Sequence, residues 1–373
     1  MESGGVSKSM SNLLHVIDTN RFEIFLFLLN PTGVFMELLP RNITIISDFK
    51  TQCFFSKFPN NIVKLLKYGF FLAAIARLFA ALMMFFNKGV GARLLSKQMF
   101  KINERFDLAV DFNGQQQLYY LVDYVDAKVK VSFFHSDYSQ WDYYYSMDKK
   151  YYSKVDKIFT ISETCIESLK KYFPNQTDKI NLFENISSVE LIEKLAKRSL
   201  PKLHQNALVS IGHLTEKKGT LIAFDVAKIL KNQGIDFKWY FVGENSNDND
   251  YVALAEKLGI TNQIVLEGAI ANPYPFIKNA AIIVHLSFFE GKSIALDEAK
   301  LLCKPIVVTN FSTVNDQFKN NFNATITNHE PKIVAKNIIY LLKNIELQEL
   351  YSQNLLENQK SNENEIQKLY KLI

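Results

Sequence analysis

Between residues 207 and 344 the chain alternates short apolar runs with stretches of helical periodicity, and this rhythm leaves few folds open. The runs fall at 207–212, 237–243, 263–268, 281–287, 305–310 and 323–327, with helical patterns at 220–232, 250–258, 293–303 and 331–344. Apolar runs separated by helices indicate parallel strands buried on both faces, a doubly wound α/β sheet. The first half repeats the theme less regularly, with strands expected at 22–29, 43–47, 108–113, 128–135, 157–161 and 179–183. A polar stretch at 198–206, containing Pro201, marks the expected boundary. The domains read as 1–200, 201–346 and a polar helical tail, 347–373, that crosses back to the first domain.

Ligands of such sheets bind beyond the carboxyl ends of the strands. One expected strand end carries Phe289-Glu290-Gly291-Lys292-Ser293-Ile294, followed by Glu298. A strand that turns into a helix through Gly291 leaves backbone N–H groups at the helix start, where the dipole favours a phosphate. Glu298 then lies roughly 7 Å along the helix, about the span from a diphosphate to a ribose. Glu290 stands on the other side, where a sugar would be. The segment reads as a nucleotide-sugar site.

A second expected strand end carries Gly212-His213-Leu214, and Lys218-Gly219 opens the next helix. An ammonium at a helix start suits a diphosphate, and His213 can donate to the same oxygens. By itself a Lys-Lys-Gly turn is an ordinary solvated helix start; with Glu290 in the same domain, the phosphate reading prevails. His135 ends an apolar strand of the first domain, where an imidazole can bond a sugar hydroxyl, move a proton, or simply be a satisfied polar residue. Tyr143, Tyr144, Tyr145, Tyr151 and Tyr152 offer either a stacking surface or core packing.

Charge is unevenly placed. Residues 49–103 contain no Asp or Glu and nine Lys or Arg, more than the whole-chain excess of +5. Within that segment, 68–86 is apolar except for Arg77. Three readings compete: a bilayer span, a surface-lying helix, or a helix packed on the first domain. Gly69 and Arg77 argue against spanning, and the basic flanks suit an anionic membrane surface. The stretch is too apolar to track nucleic acid. Three scattered cysteines show no metal spacing and suit a reducing compartment without disulfides. The first ten residues have no apolar core of a secretory signal. There is no P-loop, HExxH or CxxC, and no Asp-x-Asp placed to hold a metal on a diphosphate; Asp248-Asn249-Asp250 reads as a turn. Ser3-Gly4-Gly5 reads as a glycine turn feeding a helix, with the strand expected before it missing.

These residues resemble the GT-B glycosyltransferases of family 4. The likeness rests on Glu290 and Glu298, on Gly212 to Gly219, on Lys304-Pro305-Ile306-Val307-Val308, and more loosely on Ser3-Gly4-Gly5, 156–163 and 179–186. It implies two Rossmann-like domains facing a cleft, retention of anomeric configuration, and no metal or other cofactor, the nucleotide sugar being substrate. By position, Lys218 and the N–H groups of Gly291, Lys292, Ser293 and Ile294 would hold the donor diphosphate, with Gly5 close by. Glu298 would bind the ribose and Glu290 the transferred sugar. His135 would line the sugar pocket, and Ala269 and Ile270 would meet the base. His213 stands where the family has an Arg, which implies a weaker grip on the leaving group. Glu184-Asn185-Ile186 replaces the family's Pro-Asn-Gly. The expected activity is transfer of a sugar to a glycan or lipid-linked acceptor in capsule or lipopolysaccharide synthesis, peripheral on the inner face of the cytoplasmic membrane. The alternatives are a catalytically impaired nucleotide-binding scaffold and a sugar-nucleotide epimerase of the same fold.

Overall fold

The structure, a computed structural model, describes residues 4–198, 201–245 and 250–373. Ser3 of the expected glycine turn, Asp248 and Asn249 of the expected acidic turn, and Ser199 and Leu200 of the expected boundary lie outside the described residues.

Contacts divide the chain into two compact units. The first is Met10–Asn185 with Asn364–Ile373; the second is residues 4–9 with Ile186–Glu363. The divisions at 185/186 and 363/364 differ from those expected at 200 and 346. The cause is apolar burial. Helix Val189–Ala196 sinks Ile192 and Ala196 into the second unit's core, and helix Ile345–Glu357 buries Tyr351 there. Residues 201–206 of the polar stretch therefore lie inside the second unit, not at its edge.

In the first unit β1 (Phe25–Phe27) and β2 (Thr44–Ile46) form a separate parallel pair. The strands β3 (Arg105–Asp111), β4 (Asp126–Phe134), β5 (Lys157–Thr160) and β6 (Ile180–Leu182) form a parallel sheet in that order. Tyr151 and Tyr152 are buried in the unit's core, so much of the tyrosine cluster is packing. Among the core's polar groups, Asp148 accepts from the hydroxyls of Tyr119 at 2.5 Å and Tyr138 at 2.6 Å.

The basic segment forms four helices, Phe49–Phe55, Asn60–Lys67, Phe71–Phe86 and Lys88–Ser96. At about 1.5 Å per residue the third is about 24 Å long, short of a hydrocarbon core of about 30 Å. Among the described residues no helix is long and apolar enough to cross a membrane. The inward face of Phe71–Phe86 carries Ala73, Ala74 and Ala80. A Cβ on Gly91 would meet the backbone of Met84, so glycine permits the close approach of the next helix.

The second unit holds β7 (Ala207–Ile211), β8 (Lys238–Val242), β9 (Ile264–Gly268), β10 (Ile282–His285), β11 (Ile306–Thr309) and β12 (Thr325–Thr327). Their order is β12-β11-β10-β7-β8-β9, all parallel. Alternation of side chains separates the two cores. Leu208, Trp239 and Val284 face helices Thr220–Asn232 and Pro331–Lys343. Val209, Tyr240 and Ile283 face helices Val189–Ala196, Tyr274–Asn279 and Ile294–Leu301. A run apolar on both faces is what a strand between two helical layers requires.

Candidate functional site

The strand order reverses between β7 and β10, which pair through Ile282↔Leu208 and Ile283↔Val209. Loops leaving two neighbouring strands in opposite directions open a crevice at their carboxyl ends. A recess of about 30 Å³ lies there, lined among others by Gly212, His213, Lys218, Gly219, Thr220 and His285.

Two glycines make the crevice. Gly219, at φ +74°, starts helix Thr220–Asn232, and a Cβ there would collide with the carbonyl of Leu286. The loop after β7 therefore lies directly against the loop after β10, and the Phe288 N–H donates to the Lys217 carbonyl at 3.0 Å. A Cβ on Gly243 would strike the Gly212 carbonyl in the same way.

This approach brings Lys218 to Glu290. The Lys218 Nζ donates to Glu290 Oε1 at 2.6 Å, and His285 Nε2 lies 2.7 Å from the same oxygen. Burial alone would push the Glu290 carboxyl up. The Lys218 charge and the His285 bond more than offset it, and the pKa falls to about 2. Glu290 is thus a fixed carboxylate at neutral pH. It can accept from hydroxyls or steady positive charge, but it has no proton to give.

Eight residues on, Glu298 is buried at 2 % exposure. Its Oε1 accepts from the Tyr274 hydroxyl at 2.7 Å and lies 3.7 Å from the Lys8 ammonium, which also sits 4.6 Å from the centre of the Tyr274 ring. Burial raises this carboxyl, and Lys8 and Tyr274 pull the other way without cancelling it. The neighbouring Asp297 moves oppositely. Burial pushes it up, and Lys300 and Lys292 draw it below its ordinary value.

The helix start between these carboxylates is not as free as the sequence suggests. The Ser293 N–H donates to Gln317 Oε1 at 3.0 Å, and Gln317 Nε2 returns a bond to the Ser293 carbonyl at 2.9 Å. Gly291 and Lys292 also have partners. Of the N–H groups expected over 291–294, that of Ser293 is therefore taken, and Gln317 clamps the turn. Ile294 begins the helix and is buried. Thr313 Oγ1 bonds the Glu290 carbonyl at 2.9 Å and helps fix that loop.

The remaining expected residues are distributed as follows. Gly5 opens helix Gly5–Val16, and residues 4–9 group with the second unit. A Cβ on Gly4 would lie 3.4 Å from His213 Nε2, so the glycine turn reaches the loop after β7. Ala269 and Ile270 follow β9, with Ile270 packed against the core and Ala269 exposed. His135 belongs to the first unit. It lies against Phe112 and Phe133, and its Nε2 is buried with no hydrogen-bond partner among the described residues. Burial lowers its pKa to about 4, against a smaller opposing bond from Asn185, so the ring is neutral at physiological pH.

Sequence reasoning missed Lys8, Tyr274, His285 and Gln317. His285 carried a usable signal, a histidine at a strand end five residues before Glu290. The others had none, because their partners are far away in the chain. Among the described residues no group of His, Cys, Asp or Glu is placed to hold a metal.

Residues 192–357 match the family model described as Glycosyl transferases group 1. An uncharacterized glycosyltransferase of Methanocaldococcus jannaschii is 25% identical over 171 residues, 44% of this chain and 42% of that protein. A Campylobacter jejuni protein is 27% identical over 157 residues, 42% of each chain. It is named N-acetylgalactosamine-N,N'-diacetylbacillosaminyl-diphospho-undecaprenol 4-alpha-N-acetylgalactosaminyltransferase. The chain thus spans less than half the length of these curated relatives. Among solved structures, Anabaena HepE in complex with UDP and glucose superimposes with a TM-score of 0.69 at 15% identity, covering 100% of this chain and 97% of that one. The fold is GT-B.

Proposed function

Starting from a second unit that is a group 1 glycosyltransferase domain on a GT-B fold, we propose that this protein is a retaining glycosyltransferase. It moves a sugar from a nucleotide-diphosphate donor to a glycan or lipid-linked acceptor of capsule or lipopolysaccharide type, at the inner face of a membrane. The observation that carries this reading is the Lys218–Glu290–His285 cluster at the strand-order reversal. An ammonium has three N–H donors. Lys218 can therefore keep its bond to Glu290 and still turn a donor toward the leaving diphosphate, where preorganised charge is most effective. Glu290, held ionised, accepts from hydroxyls of the sugar. His213 adds a further donor. Glu298 takes the ribose, and Ala269 and Ile270 meet the base. In the first unit His135, neutral and with an open nitrogen, is able to bond a hydroxyl. Among the described residues no second carboxylate stands placed as a nucleophile beside Glu290, which favours departure and attack on one face of the sugar over double displacement. No metal is required in this scheme. UDP and glucose bound to HepE support a nucleotide-sugar donor.

A panel of nucleotide sugars tests the proposal. Incubation without acceptor should release nucleotide slowly from one donor. A second reading, a nucleotide-binding scaffold without turnover, draws on Glu298 being covered by Lys8 and Tyr274. It predicts a raised melting temperature with nucleotide but no release. An epimerase would convert the donor without freeing nucleotide.

A further inference from the structure

The helix Phe71–Phe86 is turned inside out relative to an ordinary surface helix. Its inward side is alanine, and its outward side carries the large residues. Leu72 is 83 % exposed and Phe85 85 %, and Ile75, Leu78, Phe79, Leu82 and Phe86 are each at least half exposed. A contiguous apolar face of this kind marks an interaction surface. Its one charged residue is turned away: the Arg77 guanidinium packs over the rings of Phe54 and Phe58, and burial lowers its pKa. The face continues through Phe49, which meets Tyr68 edge-on at 4.8 Å, and through Val63 and Leu66 on the preceding helix. Lys50, Lys57, Lys64 and Lys67 stand exposed before the helix, and Lys88 after it, with no acidic residue from 49 to 103.

We infer that this face lies in the plane of a bilayer, with the outward side chains of Phe71–Phe86 sunk among the acyl chains and the flanking lysines on anionic headgroups. Charge complementarity selects this occupant. A segment without one carboxylate suits a surface of phosphates, and its charges would repel those of a second copy of the same face. The helix is too short to span, and its polar termini remain at headgroup depth. The inference adds the mode and the residues of attachment to the membrane reading above, on which it rests; it does not depend on the nucleotide site.

The test is flotation of the full chain with vesicles of phosphatidylcholine alone and of phosphatidylcholine mixed with phosphatidylglycerol. Binding should require the anionic lipid, weaken with salt, and fall roughly fivefold for each flanking lysine changed to Gln, the factor expected for one basic residue at a charged surface. The triple variant Ile75→Ser, Phe79→Ser, Leu82→Ser should lose binding. These side chains are exposed, so circular dichroism should be unchanged. In Phe79→Trp, the new indole fluorescence should shift to the blue and be quenched by brominated acyl chains. Equal binding to uncharged vesicles, full flotation of the triple variant, or no quenching would overturn the inference. So would a lipid-free dimer that the triple variant dissociates, which would make this face a copy-to-copy interface. Nucleotide binding by calorimetry, run on the same proteins, keeps the two proposals apart, since either can fail while the other stands.

Discussion

The Lys218 ammonium donates to the Glu290 carboxylate at 2.6 Å, joining the loop that leaves β7 to the loop that leaves β10. Two strands adjacent in the sheet thus deliver a cation and an anion to one point. Lys218→Met removes the proposed donor to the leaving diphosphate, and nucleotide release should slow by about 10²–10³, the cost of deleting one preorganised donor. Stopped assays with saturating nucleotide sugar would show it. A rate within a factor of three of the parent would remove Lys218 from the mechanism.

Glu290 also ties stability to acid. Its carboxyl falls from an ordinary 4.5 to about 2 in the folded state, through Lys218 and His285 acting against burial. A depressed pKa contributes stability that is complete above 4.5 and disappears as pH falls toward 2. Glu290→Gln should therefore flatten the loss of stability over that window, measured by urea unfolding at a series of pH values. Parallel curves for the two proteins would contradict the pairing.

Asp148 works in the opposite sense. Burial lifts its carboxyl from 3.8 to about 7, partly countered by the Tyr119 and Tyr138 hydroxyls. A raised pKa means the folded state holds the proton more tightly, so stability declines as pH rises from about 4 through 7. Asp148→Asn keeps one acceptor and one donor for the two tyrosines without the charge. Its melting temperature should vary less than the parent's between pH 5 and 8; an equal or steeper decline would be the contrary result.

Glu298 is held by Tyr274 and Lys8 together. Removing Lys8 as Lys8→Met leaves a buried carboxylate with one neutral partner among those described above, and breaking such a pair costs about 3 kcal/mol. Tyr274→Phe deletes a hydrogen bond to a charged group and costs about 2 kcal/mol. Because both act on one oxygen, the double variant should lose less than the sum. Denaturant midpoints unchanged in either single variant would show that these contacts do not hold the carboxylate. Glu298→Ala should abolish donor binding by calorimetry if the ribose sits there.

Much of this was legible in the chain itself. The six apolar runs between 207 and 327 each became a strand, because a segment apolar on both faces has nowhere to go but between two helical layers. That Lys218 and Glu290 lie on strand-to-helix connections was legible: Lys218 stands between β7 and helix Thr220–Asn232, and Glu290 between β10 and helix Ile294–Leu301. The helix of the basic segment was legible as a helix, but not its facing. Both sides of Phe71–Phe86 are apolar, so periodicity could not choose between them. Packing chose the side that carries Ala73, Ala74 and Ala80, which is buried in one cluster with Phe54, Leu65 and Leu95.

Composition and local pattern thus determined the class of fold, the order of its elements and the two loops that carry the candidate site, since strand and helix periods are properties of neighbouring residues. What only the tertiary structure decided is which charges meet. Lys8 with Glu298, Tyr274 with Glu298, Gln317 with Ser293 and His285 with Glu290 are pairings across elements. Their carboxylates take opposite pKa shifts, Glu290 down and Glu298 up, because the balance between burial and a nearby cation is set by distances in space, which spacing along the chain does not encode.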